Sequence, residues 1–136
     1  MTYRTVILDG CQPKSQLVTN AAAVKPGTLG TVTAAGAFAV AADSTSRLFV
    51  FGDNQYSTDG SEEVAADAGG NAYEINNGDV RALILAASET IAKNDKLYIG
   101  AGGFVTDTTA GGFIGHAQES VTSGAGENPQ IAVVMA

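Results

Sequence analysis

The chain has 136 residues and a net charge of −7; 45% of it is hydrophobic and only 15% charged, against about 25% charged in an ordinary soluble domain. That length makes one domain with a real core, and the acidic balance repels nucleic-acid phosphates, which argues against direct binding of DNA or RNA. The one cysteine, Cys11, excludes an intrachain disulfide and a cysteine-based zinc site.

No window approaches the roughly 18 continuous apolar residues of a membrane span, so no membrane partner is expected. The N-terminal apolar run is too short for a signal peptide, and the expectation is synthesis in a cytoplasm without classical export. The charge is unevenly spread: residues 1–50 sum to +2 and residues 51–136 to −9. Low charge with abundant Ala and Gly reads either as a turn-rich β-protein or as a chain partly covered by partners.

In chain order, Thr2–Leu8 reads as an extended arm or a first strand, ending at an Asp9-Gly10 turn. Leu17–Thr19 suits a short strand. Lys25–Thr28 (Lys-Pro-Gly-Thr) predicts a type II turn, because Pro presets φ and Gly supplies a positive φ. Leu29–Thr33 and Phe38–Ala41 predict a hairpin through Ala34–Gly36, and Arg47–Phe51 is the strongest core strand of the first half.

Residues 53–71 are acidic and Gly-rich and read as an insert, with Ser61–Ala66 suited to one helical turn. Ala72–Ile75 and Val80–Leu85 flank Asn-Gly, the strongest short hairpin signal in the chain. Ser88–Asp95 reads as a short helix or a loop. Four runs follow: Lys96–Gly100, Gly103–Thr106, Phe113–Ala117 and Gln130–Met135. Each is rich in β-branched and aromatic residues and bounded by turn formers. The fold class expected is mainly β: a small antiparallel barrel or sandwich with at most one or two short helices.

No constellation for catalysis stands out. His116 is the only histidine, and no Gly-x-Ser-x-Gly elbow accompanies it. Gly100–Gly103 precedes a strand rather than a helix N-terminus, so it reads as a hairpin turn and not a phosphate loop. The carboxylates Asp53, Asp59, Glu62, Glu63 and Asp67 lack EF-hand spacing and read as a solvated face. Phe49, Phe51, Tyr98, Phe104 and Phe113 lie in predicted strands, where core packing is the default. No catalytic residue, metal or cofactor is expected.

The run Ile91–Ile99 (Ile-Ala-Lys-Asn-Asp-Lys-Leu-Tyr-Ile), then Gly102–Thr106, Phe113–Ala117 and a terminal Ile131–Val134, resembles the capsid decoration (cement) proteins of tailed bacteriophages. Their pattern is approximately I-x-x-G/N-D-x-L-Y, a G-x-V-T strand, x-I-G-x-A and a last apolar strand. Ala21–Thr28 also resembles their early segment, and the likeness spans residues 17–136, with the 53–71 insert departing from it. The resemblance implies a β-tulip-like body without enzymatic activity. It implies a trimer at threefold or quasi-threefold positions on the outside of an expanded head, with the major capsid protein as partner.

The expectation is therefore a virion protein that reinforces a phage head. Its alternatives are another virion β-protein, such as a tail-tube or head–tail adaptor subunit, and a small ligand- or carbohydrate-binding β-module. Residues 1–16 lie at or beyond the edge of the family pattern and read as an arm. Thr2, Tyr3, Arg4, Thr5, Val6, Ile7 and Leu8 are the candidate capsid-binding residues, through strand addition to an exposed sheet edge. The competing expectation makes the same segment the first strand of the domain's own sheet.

Overall fold

The computed structural model describes residues 7–9, 15–44, 47–52, 63, 65–66, 68–109 and 111–136. Thirteen short strands form among them: β1 (Ile7–Asp9), β2 (Ser15–Asn20), β3 (Leu29–Val32), β4 (Ala37–Val40), β5 (Phe49–Phe51), β6 (Gly69–Glu74) and β7 (Val80–Ile84). The remainder are β8 (Thr90–Ile91), β9 (Lys96–Ile99), β10 (Val105–Thr106), β11 (Phe113–Ala117), β12 (Val121–Thr122) and β13 (Gln130–Met135). A single 3₁₀ turn, Ala101–Gly103, joins β9 to β10. The mainly-β expectation holds, and the Gly100–Gly103 segment is indeed a hairpin turn.

Five strands close a barrel in the order β2-β4-β3-β5-β6, and six form a sheet in the order β1-β7-β13-β11-β9-β10. The expected β3–β4 hairpin forms, and so does the Lys25–Thr28 turn, with Gly27 at φ +98° and the Thr28 N–H donating to the Lys25 carbonyl at 3.2 Å. The barrel departs from pure antiparallel order at one seam, where β2 runs parallel to β4.

Two expectations need correction, and one open alternative, at Ser88–Asp95, is decided. The Asn76–Asp79 turn forms, but β6 pairs with β2 and β5 while β7 pairs with β1 and β13. The Asn-Gly signal therefore marks a crossing between the two layers and not a hairpin. Ser88–Asp95 is not helical: Ser88 and Asn94 take φ of +60° and +76°, and Thr90–Ile91 pairs with β12. Gly69, Gly70 and Asn71, read as the tail of the insert, belong to β6. Of the suggested Ser61–Ala66 turn only Glu63, Ala65 and Ala66 are described, and Cys11 also lies outside the described residues.

The core divides at β5. Phe49 and Phe51 point into the barrel with Val18, Phe38 and Ala72, and the Phe38 and Phe51 rings meet at 5.2 Å. Val50, between them in sequence, points the other way with Leu29. It packs there on Leu83, Leu97, Ile99, Val105, Ile131 and Val133 of the six-stranded sheet. This is strand alternation with both faces buried, which is why the segment reads as a continuous apolar run.

The lumen is filled by placing phenylalanine rings over glycines of the wall. A Cβ at Gly70 would lie 2.5 Å from the Phe51 ring. Gly70→Ala is therefore expected to cost about 1–3 kcal/mol through overpacking, and Phe51→Ala about 3–5 kcal/mol through the cavity it leaves. The double variant Gly70→Ala/Phe51→Leu should cost clearly less than the sum of its singles, read by urea denaturation. Strict additivity would show that the two positions are not in contact.

Candidate interaction surface

The residues that carry the family pattern have structural reasons to be what they are. Asn94 sits at positive φ, where Gly or Asn is favoured, and the Asp95 carboxylate accepts the Ala92 N–H at 2.8 Å to hold that turn. Ile91, Leu97, Ile99, Val105, Ile114 and Ala117 all point into the core between the layers. A Cβ at Gly115 would lie 2.1 Å from the Val134 carbonyl oxygen, so no side chain fits where β11 meets β13.

The opposite face of β9 and β11, which carries Lys96, Tyr98, Phe113 and His116, is presented outward, whereas β7 is buried on both faces. β11 advances two residues, Phe113 to Gly115, while its partner β9 steps only from Tyr98 to Leu97. That bulge leaves Ile114 as the extra residue and changes the phase of the strand. Phe113 and His116, three apart, consequently emerge on the same side, with ring centroids 5.3 Å apart. Tyr98 lies edge-on to Phe113 at 5.9 Å, and Lys96 stands opposite His116. Phe113 is 44% exposed, which corrects its assignment to the core. The signal that would have exposed it, the bulge, depends on pairing partners distant in sequence.

Beside Phe113 there is a groove of about 300 Å³, lined in part by Ile114 and Met135 of the interior between the layers. Its apolar wall includes Leu48, Ile75, Phe113 and Met135, and Arg47 and Asn77 also line it. The Arg47 guanidinium pairs with the Glu74 carboxylate and lies 5.1 Å over the Phe49 ring.

Of the candidate capsid-binding residues, the structure places Ile7 and Leu8 in β1, at one edge of the six-stranded sheet, where Ile7 opposes Arg81 and Asp9 opposes Val80. Thr2, Tyr3, Arg4, Thr5 and Val6 lie outside the described residues. Beneath this edge is a buried ion pair. The fully buried Arg81 donates to the Asp79 carboxylate at 2.7 Å and to the Val80 carbonyl at 3.1 Å. Nothing in the pattern of Val80–Leu85 marks this arginine as interior.

Glu89 is the titratable group whose environment shifts it. Burial raises its carboxyl above the usual carboxylate range, the Thr106 hydroxyl donating at 2.5 Å draws it back, and neighbouring Asp107 raises it again. Among the described residues, no three His, Cys, Asp or Glu side chains converge as metal ligands. Nor is any described helix long and apolar enough to cross a membrane.

This chain is similar to a solved structure of a phage protein. It is the N base of the head fiber gp8.5 of bacteriophage phi29, with a TM-score of 0.57 and 16% identity, covering 90% of this chain and 94% of that one. The likeness is one of fold. No protein-family model and no curated protein matches.

Two measurements probe these sites. Asp79→Ala removes a carboxylate to which the buried Arg81 guanidinium donates and is expected to destabilise the fold by about 3–5 kcal/mol in urea denaturation; a cost near zero would show that this ion pair does not hold the fold. For Glu89, a raised folded pKa means that the folded state holds the proton more tightly than the unfolded chain. Its contribution is most favourable below the unfolded carboxylate pKa and is lost as pH rises through the folded one. Glu89→Gln should remove that loss, flattening the stability profile just above the ordinary carboxylate range; an unchanged profile would contradict it.

Proposed function

We propose that this chain is a structural, non-enzymatic virion protein. It binds the major capsid protein on the outer surface of a phage head and stabilises the expanded shell, as a trimer at threefold or quasi-threefold positions. The observation that carries the reading is the fold likeness to the phi29 head-fiber base across 90% of the chain. It joins the decoration-protein pattern, whose apolar positions line the core behind β8, β9, β10, β11 and β13.

The physical role follows from mass action. A protein that bridges neighbouring capsomers loses its buried contact area when they part, so the closed shell is favoured. A small subunit offers each neighbour limited area, and association costs several kcal/mol of lost freedom, so the isolated protein is expected to be monomeric and to trimerise on the head. The grip is assigned to the arm, Thr2–Leu8. β1 lies at the edge of its sheet, and the segment running into it has the β-propensity and the lone charge, Arg4, for strand addition to a capsid edge.

Cosedimentation with undecorated phage heads, followed by symmetric reconstruction, tests this. Density is expected at threefold or quasi-threefold positions; protein that stays in the supernatant would overturn the reading. Because Ile7–Asp9 pairs with β7, the informative truncation removes residues 2–6 only. It should keep its melting temperature and lose about tenfold or more in head affinity. Undiminished binding would remove the arm from the interface.

A further inference from the structure

We propose that the groove beside Phe113 binds a neutral hexopyranose unit of a glycan. The inference does not depend on the virion reading, since it concerns a site on the soluble protein itself.

Three observations carry it. First, Phe113 is held outward by construction: the β11 bulge turns it to solvent, and Tyr98 and His116 fix its ring from two sides at 5.9 and 5.3 Å. At 44% exposure it offers an aromatic ring to solvent beside the partly buried Tyr98 and His116 rings. Second, this ring forms the lip of a concave site of about 300 Å³, at the lower end of ligand-pocket sizes, with Leu48, Ile75 and Met135 in its wall. Third, Arg47 and Asn77, which both carry planar polar groups, are among the residues that line it.

The chemistry of the occupant follows from that mixture. A pyranose has an apolar C–H face and a polar periphery of hydroxyls that both donate and accept. The first suits an aromatic ring, and the second suits a guanidinium and an amide with fixed planes. A wholly apolar occupant, such as a single aliphatic side chain of a peptide, would strip water from Arg47 and Asn77 without replacing its hydrogen bonds. A phosphate or carboxylate ligand is disfavoured because the charge of Arg47 is already offset by Glu74 and the chain as a whole carries −7. What remains is a neutral ligand with one apolar face and several hydroxyls.

The test uses the full chain on an array of neutral and acidic hexose oligosaccharides, with the best neutral oligosaccharide carried into titration calorimetry. The wild type should bind neutral saccharides weakly, with a dissociation constant of about a millimolar per hexose unit. Phe113→Ala and Asn77→Ala should each weaken binding by about tenfold or more, whereas Phe113→Trp should preserve it. Urea denaturation of all three variants checks that they are folded, and the retained function of Phe113→Trp separates ring stacking from a general surface effect. Failure to bind any neutral saccharide overturns the proposal, as does binding that survives Phe113→Ala. Selection of an apolar peptide by the groove in a displayed library, with every saccharide silent, would assign the site to a protein partner and overturn it equally.

Discussion

The structure depends on β5 being buried on both of its faces. Three residues supply it: Phe49 and Phe51 fill the barrel, and Val50, fully buried, joins the layer between the barrel and the six-stranded sheet. Neither half has a complete core alone, because the barrel wall carrying Leu29 and Val50 is also one lid of the sheet. A small domain of short strands has little area to spare, and sharing a wall lets one strand close two adjoining apolar clusters. The glycines Gly30 and Gly70 belong to the same constraint, since only a residue without Cβ leaves room for the Phe38 and Phe51 rings.

That sharing decides which surfaces are left over. The inner face of the six-stranded sheet is committed to the core and β7 is buried on both faces, so the sheet presents the outer face of β9 and β11 and its edge at β1. The bulge in β11 then sets the character of that outer face by turning Phe113 and His116 to one side. At the β1 edge, Arg81 and Asp79 place an ion pair below the backbone that receives Ile7 and Asp9. Buried pairs of this kind contribute little net stability against an apolar replacement, but breaking one is costly, which fixes the local geometry.

Among the described residues, two surface features stand out, the β1 edge and the Phe113 ring. The arm edge and the ring face belong to the same six-stranded sheet, one at its margin and one across its strands. The two surfaces lie apart on one sheet, so each is separately accessible to substitution.

Much of the local structure was legible in the sequence. The Lys25–Thr28 turn, the β3–β4 hairpin, the apolar runs of β5, β9, β11 and β13 and the Gly100–Gly103 turn all follow from dihedral preferences and strand propensity, which are properties of neighbouring residues. What the tertiary structure alone decided is pairing. The Asn76–Asp79 turn is local, but whether β6 and β7 pair or part depends on β13 and β2, distant in sequence. The same holds for the interior position of Arg81, set by the strands on either side of β7, and for Phe113. Read alone, Phe113–Ala117 is an ordinary apolar strand; an extra residue against β9 turns its aromatic ring outward, because strand faces alternate with a period of two and a single inserted residue reverses them.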